Sequence, residues 1–222
     1  MQLFWEVKVD PTGLCVVDFG TRFLEACAKA LGQPHLEDWY RGAEVKRVLY
    51  SDRYIARVLD PLLVLSIFKG IAKEGNIASD AEFIMQTNEV DSGYARDPSQ
   101  YPYKLRFFWR SNDQRKEIID AVIEADASLN QLARLEVLAK ANVPHDRRLS
   151  IELSDGRTLW MMIGRGVSVF MPDDMPFLPH YMNNKHDMAA RLLEILNARQ
   201  TNRDELTFAP EEAVFSVWET TN

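Results

Sequence analysis

The chain contains little cysteine and no long apolar run. Its 222 residues include two cysteines, Cys15 and Cys27, too few for a disulfide framework or a metal-binding knuckle. Reduced thiols in a cytosolic protein are the simpler interpretation. The longest apolar run, residues 59–68, contains Pro61 and Ser66 and is too short to span a bilayer. The N-terminus lacks a basic segment followed by an apolar one, so we expect no signal peptide.

Several signatures of binding sites are absent as well. The sequence has no GxxxxGK[ST], no GxGxxG before a helix and no metal-ligand spacing. We therefore expect no cofactor and no metal. Acidic residues outnumber basic ones by 33 to 26, which gives a net charge of −7. This balance argues against a broad basic surface for nucleic acid and leaves room for a local basic groove.

What is present indicates one α/β domain over residues 1–222. A hydrophobic content of 46% is enough for a sizeable core. Residue periodicity predicts strands at 3–9, 14–19, 44–50, 82–87, 104–109, 147–153, 158–163 and 213–218. It predicts helices at 21–31, 56–73, 112–126, 128–141 and 187–199. We expect the first two strands to pair with each other, and Thr21 to cap the first helix.

Two segments have more than one interpretation. Residues 90–103 form a long predicted loop, so the region of about 90–128 is an insertion or a variable loop, and residues 91–103 are a candidate for contacting a partner. The helix predicted over 128–141 carries a stripe of leucines, which indicates a core face or, as the alternative, a partner-binding face. Its members are Leu129, Leu132, Leu135 and Leu138.

Residues 147–163 are predicted to form a β-hairpin. Residues 147–153 alternate in polarity and 158–163 are apolar. Between them, Asp155 and Gly156 tolerate the positive φ of a tight turn. Gly164 and Gly166 follow and bring a backbone with little bulk close to its neighbours.

Polar residues also follow the strand predicted at 44–50. Residues just past a parallel strand are where α/β folds place ligand sites, which makes Asp52 and Tyr54 candidates. The alternative is that Asp52 caps the next helix and that Tyr54 packs against it. The sequence leaves both interpretations open.

The entrance of the hairpin carries His145, Asp146, Arg147 and, further on, Glu152. This spacing resembles the H-x-K-x4-D signature of the phospholipase D superfamily, with Arg147 and Glu152 in the lysine and aspartate positions. The likeness is closer to the phospholipase D-like C-terminal domain of MIT-domain (microtubule-interacting and transport) proteins. That domain also reads His-Asp-Arg, a hairpin around a glycine, then Ile-Gly-Arg-Gly and an aromatic, here Ile163, Gly164, Arg165, Gly166 and Phe170. A looser likeness runs from about residue 19 to residue 88.

The resemblance implies a phospholipase D-like mixed sheet flanked by helices, with insertions. In active members, one histidine attacks phosphorus and a second protonates the leaving oxygen, while lysines neutralise the phosphoryl oxygens. The acid holds the histidine tautomer. If the chain is active, the resemblance assigns these roles to His145, Arg147 and Glu152, with a symmetric homodimer supplying the second histidine.

The chain departs from the active pattern in three ways. Arginine replaces lysine, glutamate replaces aspartate, and Gly164-Arg165-Gly166 stands where active members have Gly-Ser. The MIT C-terminal domain shares these departures and is regarded as an inactive binder of acidic phospholipid head groups. We therefore predict a non-catalytic module that binds a phosphate-bearing partner, either nucleic acid or an anionic lipid. The phosphate-binding residues are predicted to be His145, Arg147, Arg148, Gly164, Arg165, Gly166, Asp52 and Tyr54.

We also expect a wider setting that no motif of the sequence specifies. We expect a cytoplasmic accessory subunit of a larger assembly, such as a nucleic-acid-processing or defence system, with other protein subunits as partners. Two alternatives remain at this stage. One is a dimeric, metal-independent phosphodiesterase or nuclease, and the other is a protein-interaction domain without a phosphate site.

Overall fold

A computed structural model describes most of the chain. The described residues are 5–9, 16–33, 38–39, 42–55, 58–89, 109, 111–164, 166–167, 185–197 and 213–221. Their strands are β1 (Trp5–Val9), β2 (Val45–Ser51), β3 (Ile77–Asn88), β4 (Ala133–Leu138), β5 (Arg148–Leu153), β6 (Arg157–Ile163) and β7 (Ala213–Thr221). The helices are α1 (Val16–Ala30), α2 (Leu59–Glu74), α3 (Asn112–Ala125) and α4 (Lys185–Asn197), with a short 3-10 turn at Lys140–Asn142.

The seven strands form one mixed sheet in the order β1-β7-β6-β5-β2-β3-β4. Strands β2, β3 and β4 are parallel, and every other neighbouring pair is antiparallel. One face of the sheet and the four helices share a single buried core. The predicted fold class, an α/β fold with a mixed sheet flanked by helices, is confirmed.

The predicted hairpin is also confirmed. Strands β5 and β6 pair antiparallel, with Ser150 opposite Trp160. Gly156 has a φ of +87° in the turn between them, a conformation that favours glycine. On the other side, β5 pairs antiparallel with β2, and Ser51 lies opposite Arg148. This register brings the residues just after β2 next to those just before β5.

Two predicted elements were wrong. Residues 14–19 do not form a strand beside β1, because α1 begins at Val16 and β1 pairs with β7. Val16 and Phe19 are buried and continue the helical spacing of the residues that follow. Thr21 therefore lies inside α1 and does not cap it.

The helix predicted over residues 128–141 is the second error, because this region forms β4. The leucine spacing of three suggested a helix, but within Ala133–Leu138 Leu135 is buried while Arg134 is exposed, the alternation of a strand. Gln131 has a φ of +64°, which is incompatible with a continuous α-helix. A partner-binding helix at this position is thereby excluded.

The predicted loop at 90–103 and the strand at 104–109 lie outside the described residues, apart from buried Trp109. No helix in the described part of the chain combines the length and apolarity needed to cross a membrane.

Helices α1 and α2 cross without room for a side chain at Gly20. Its N–H donates to Ser66 Oγ at 2.9 Å, and the Ser66 hydroxyl donates to the Val16 carbonyl. A Cβ at Gly20 would lie 1.9 Å from the Ser66 carbonyl oxygen, far inside van der Waals contact. The crossing therefore depends on glycine at this position.

Gly20→Ala should lower the free energy of unfolding by about 3 kcal/mol, because the two helix backbones must separate. Gly164→Ala is a matched control, since a Cβ there meets nothing within 4 Å, and it should change the value by less than about 1 kcal/mol. Urea unfolding followed by circular dichroism measures both. Equal effects of the two variants would contradict the close contact of the two helix backbones at Gly20.

Candidate functional site

Asp52 is a buried carboxylate directly after β2, with 2% of its surface exposed. Its Oδ1 accepts the Tyr54 N–H at 2.7 Å and the Arg147 Nε–H at 3.3 Å. Its Oδ2 accepts the Tyr50 hydroxyl at 3.1 Å. Burial raises the pKa of Asp52, and the hydrogen bonds and the Arg147 charge oppose that rise.

Asp52 therefore does not cap α2. Helix α2 begins seven residues later at Leu59, and its N-cap residue Val58 makes no side-chain capping bond. The carboxylate is instead the partner of Arg147, a role that neither interpretation of the sequence included.

Arg147 is held on three sides. Besides its bond to Asp52, its Nη1 donates to the Gly164 carbonyl at 2.5 Å, and its Cζ lies 4.5 Å from the centroid of the Tyr54 ring. The side chain is 21% exposed. Of the five guanidinium N–H groups, one on Nη1 and both on Nη2 have no protein partner among the described residues. A fixed guanidinium with three remaining donors suits an oxyanion.

His145 and Tyr54 form the exposed rim next to Arg147. Tyr54 is 43% exposed, and His145 is exposed too. The Tyr54 hydroxyl lies 3.4 Å from His145 Nε2, and the two rings meet edge to face with centroids 6.0 Å apart. Tyr54 thus contacts both the imidazole and the guanidinium.

Gly166 closes the inner side of this arrangement. It has a φ of +67°, and a Cβ there would lie 2.2 Å from Asp52 Oδ2 and 2.7 Å from Arg147 Cδ. The next residue, Val167, donates its N–H to the Tyr50 hydroxyl at 3.2 Å. Glycine is required here because both its conformation and its space exclude a side chain.

We call Asp52, Tyr54, His145, Arg147, Gly164 and Gly166 the notch. Six of the residues predicted from the sequence are brought together there, at the carboxyl end of β2. The glycines act differently from the prediction, however. Gly166 was predicted to bind phosphate, but its N–H donates to the Ile163 carbonyl at 2.7 Å. The Gly164 carbonyl accepts from Arg147.

Arg148 does not join the notch. Side chains of successive strand residues point to opposite faces, and the guanidinium of Arg148 lies 5.6 Å from the Trp160 ring on the other face of the sheet. Trp160 in turn stacks with Trp218 at 6.3 Å. A pocket formed jointly by Arg147 and Arg148 is therefore not present, and Arg165 lies outside the described residues.

Glu152 is also separate from His145. Glu152 lies four residues beyond Arg148 along β5. At the usual rise of a strand, the Cα atoms of these two residues are about 13 Å apart. There it pairs with Arg47 at 3.9 Å, on the partly exposed face of the sheet. The expected carboxylate–histidine pair is not formed, because the intervening strand holds the two residues apart.

Three residues that support the notch were not predicted from the sequence. Tyr50 is buried and donates to Asp52. Arg53 donates from Nε to the Val143 carbonyl at 2.5 Å and joins the turn after β2 to the segment before His145. Arg115 donates to the Ile55 carbonyl at 3.0 Å. Only the sheet register and the packing of α3 disclose these roles.

The fold and the notch define an α/β domain that holds a partly exposed guanidinium at the carboxyl end of an interior strand. Residues 10–211 match a family model described as "DEAD/DEAH box helicase YjiV, C-terminal domain". The chain belongs to this family. None of the curated proteins compared with it matches.

Solved structures give a weaker likeness. Yeast tyrosyl-DNA phosphodiesterase matches over 99% of this chain at 10% identity with a TM-score of 0.31. A point mutant of yeast tyrosyl-DNA phosphodiesterase 1 gives 11% identity and the same TM-score. The chain spans about a third of the length of these structures, 31% and 32%. The phospholipase D resemblance rests on the residues of the notch and its hairpin.

The pKa of Asp52 predicts a specific dependence of stability on pH. A carboxyl group whose pKa is raised by folding contributes stability that is complete below its unfolded pKa of about 3.9 and is lost as pH rises through the folded pKa. The free energy of unfolding of the wild type, relative to Asp52→Asn, should therefore fall as pH rises from about 4.

Urea titrations of both proteins from acidic to neutral pH measure this difference. A difference that grows with pH would mean that the attraction of Arg147 outweighs burial, contrary to the direction given above.

Proposed function

We propose that this chain is a non-catalytic module of a DEAD/DEAH box helicase system and that its notch holds a phosphate group of a nucleic acid strand. The family supplies the helicase setting. The main observation in favour of a phosphate ligand is the state of Arg147. Its guanidinium is fixed by Asp52 and Gly164, while some of its N–H groups remain available. In this proposal the module works in the cytoplasm alongside other protein subunits.

The charges of the notch favour a single directed contact between Arg147 and one phosphate group. Arg147 is largely offset by Asp52, so the site attracts an anion mainly through directed N–H groups and not through excess positive charge. A net charge of −7 repels nucleic acid at long range, so binding has to come from a local group with directed donors. Phosphate contacts of this kind fix register on a nucleic acid without reading its sequence.

Binding is favoured over catalysis by the surroundings of His145. A histidine nucleophile needs a partner that fixes its tautomer and a second group to protonate the leaving oxygen. Glu152 is paired with Arg47, and the contact of His145 in the described chain is the Tyr54 hydroxyl at 3.4 Å, a long hydrogen bond. The likeness to the inactive MIT C-terminal domain supports the same conclusion.

Arg147→Ala should weaken binding of a labelled single-stranded oligonucleotide about tenfold or more, because a charge-assisted phosphate contact is lost. The slope of log affinity against log salt should be shallow, and its magnitude should be smaller by about 1 in the variant. Fluorescence anisotropy at two or more salt concentrations measures both quantities.

Arg134→Ala is the matched control, since Arg134 is an arginine on β4 that pairs with Glu82 and Glu136. It should leave affinity unchanged. His145→Ala removes an exposed rim residue without leaving Asp52 unpaired, so it tests the notch even if Arg147→Ala folds poorly. The proposal fails if the wild type binds no oligonucleotide, or if it binds only anionic liposomes.

A phosphodiesterase or nuclease is the second candidate. The observation in its favour is an exposed imidazole near a fixed cation, because Arg147 stands where active members of the superfamily have lysine. A homodimer would have to supply the second histidine.

We expect no cleavage of single- or double-stranded DNA or RNA by the purified wild type in the presence of EDTA. Gel analysis of end-labelled substrates after prolonged incubation measures this. Cleavage that His145→Ala abolishes and Arg134→Ala retains would replace the binding module with a nuclease.

A further inference from the structure

The turn that carries the exposed half of the notch is held by three arginines from three parts of the chain. Arg147 bonds to Asp52, Arg53 bonds to the Val143 carbonyl, and Arg115 bonds to the Ile55 carbonyl. Arg147 belongs to the notch, and Arg53 belongs to the turn. Arg115 comes from α3, which contributes no residue to the notch itself.

Arg115 spans the ends of two neighbouring parallel strands. Its Nη1 donates to the Ile55 carbonyl at 3.0 Å, just past β2, and its Nη2 donates to the Asn88 carbonyl at 2.6 Å, at the end of β3. Nη2 also lies 3.3 Å from Asn112 Oδ1 on its own helix. The Asn88 carbonyl lies where β3 ends and the Ile55 carbonyl lies in the turn after β2, so both need a donor from outside the sheet.

The position is costly for an arginine. The side chain is 1% exposed, it has no carboxylate partner among the described residues, and its Nε has no hydrogen-bond partner there. Burial lowers the pKa of the guanidinium to about 10. An aliphatic side chain would fill this volume without the desolvation cost of a charge. The hydrogen bonds to Ile55 and Asn88 are what offset that cost.

We infer that Arg115 is a positioning residue for the notch. It holds the turn through the Ile55 carbonyl, and the turn in turn places Tyr54 against Arg147 and His145. As far as ligand affinity is concerned, this inference rests on the proposed function. The placement of Tyr54 and His145 can be tested without any ligand.

The test compares Arg115→Met with Ile119→Ala. Ile119 is a fully buried residue of the same helix. Its apolar side chain cannot hydrogen-bond to the turn, and its truncation lowers stability. Side-chain NMR signals of His145 and Tyr54 are recorded below the unfolding transition, and oligonucleotide affinity is measured on the same samples. Arg115→Met should shift both sets of signals and weaken binding about tenfold, while Ile119→Ala should leave the signals and the affinity unchanged.

Two further variants keep the test decisive. Arg115→Lys retains the charge but cannot reach both carbonyls, so it should give intermediate signals and intermediate affinity, and it serves if Arg115→Met does not fold. In a Tyr54→Ala background, Arg115→Met should weaken binding no further, because the residue through which it acts is gone.

The outcomes separate the two proposals. If the wild type binds no oligonucleotide, the proposed function fails, and the NMR comparison alone still decides the role of Arg115. If Arg115→Met and Ile119→Ala leave the His145 and Tyr54 signals equally unmoved, the positioning role is overturned. Weaker binding with unmoved signals would overturn it as well.

Discussion

The ion pair between Asp52 and Arg147 is the interaction on which the candidate site depends. It joins the end of β2 to the start of β5, which are adjacent only because the two strands pair antiparallel with Ser51 opposite Arg148. Removing one partner of a buried pair leaves an uncompensated charge, which costs far more than the net value of the pair. The pair therefore acts as a specific connection that fixes where the guanidinium points.

The rest of the notch follows from that fixed guanidinium. Tyr54 packs against it, His145 packs against Tyr54, and the backbone at Gly166 approaches so closely that no side chain fits. Behind the notch, Tyr50 and Arg115 satisfy groups at the ends of β2 and β3. In the proposed function, a site organised in this way holds a ligand in one place without changing it, because its best-placed donors are already oriented and its imidazole has no paired acid among the described residues.

The sequence predicted the parts of the structure that local patterns determine. Alternation, helical spacing and turn residues predicted the β5–β6 hairpin, β2, α2 and α3. Most of the notch was predicted because a family resemblance identified its residues.

The errors arose where the helical and the strand period compete in the same segment. The leucines spaced by three in residues 129–138 suggested a helix although the residues between Ala133 and Leu138 alternate, and the apolar run 14–19 suggested a strand although it continues the spacing of α1. The partner of Arg147 could not be predicted, because it depends on a strand register between residues far apart in the chain. The same limit misplaced Glu152, which has the right spacing along the sequence and the wrong position in the sheet.

The most direct test of the account is an NMR titration of protein labelled with 15N-arginine, using a short single-stranded oligonucleotide. Our account predicts that the Nη signals of Arg147 move on binding, that its Nε signal keeps the downfield position of a group bonded to Asp52, and that the signals of Arg134 and Arg148 do not move. Binding that moves the signals of Arg148 and leaves those of Arg147 unchanged would place the ligand on the opposite face of the sheet and contradict the account.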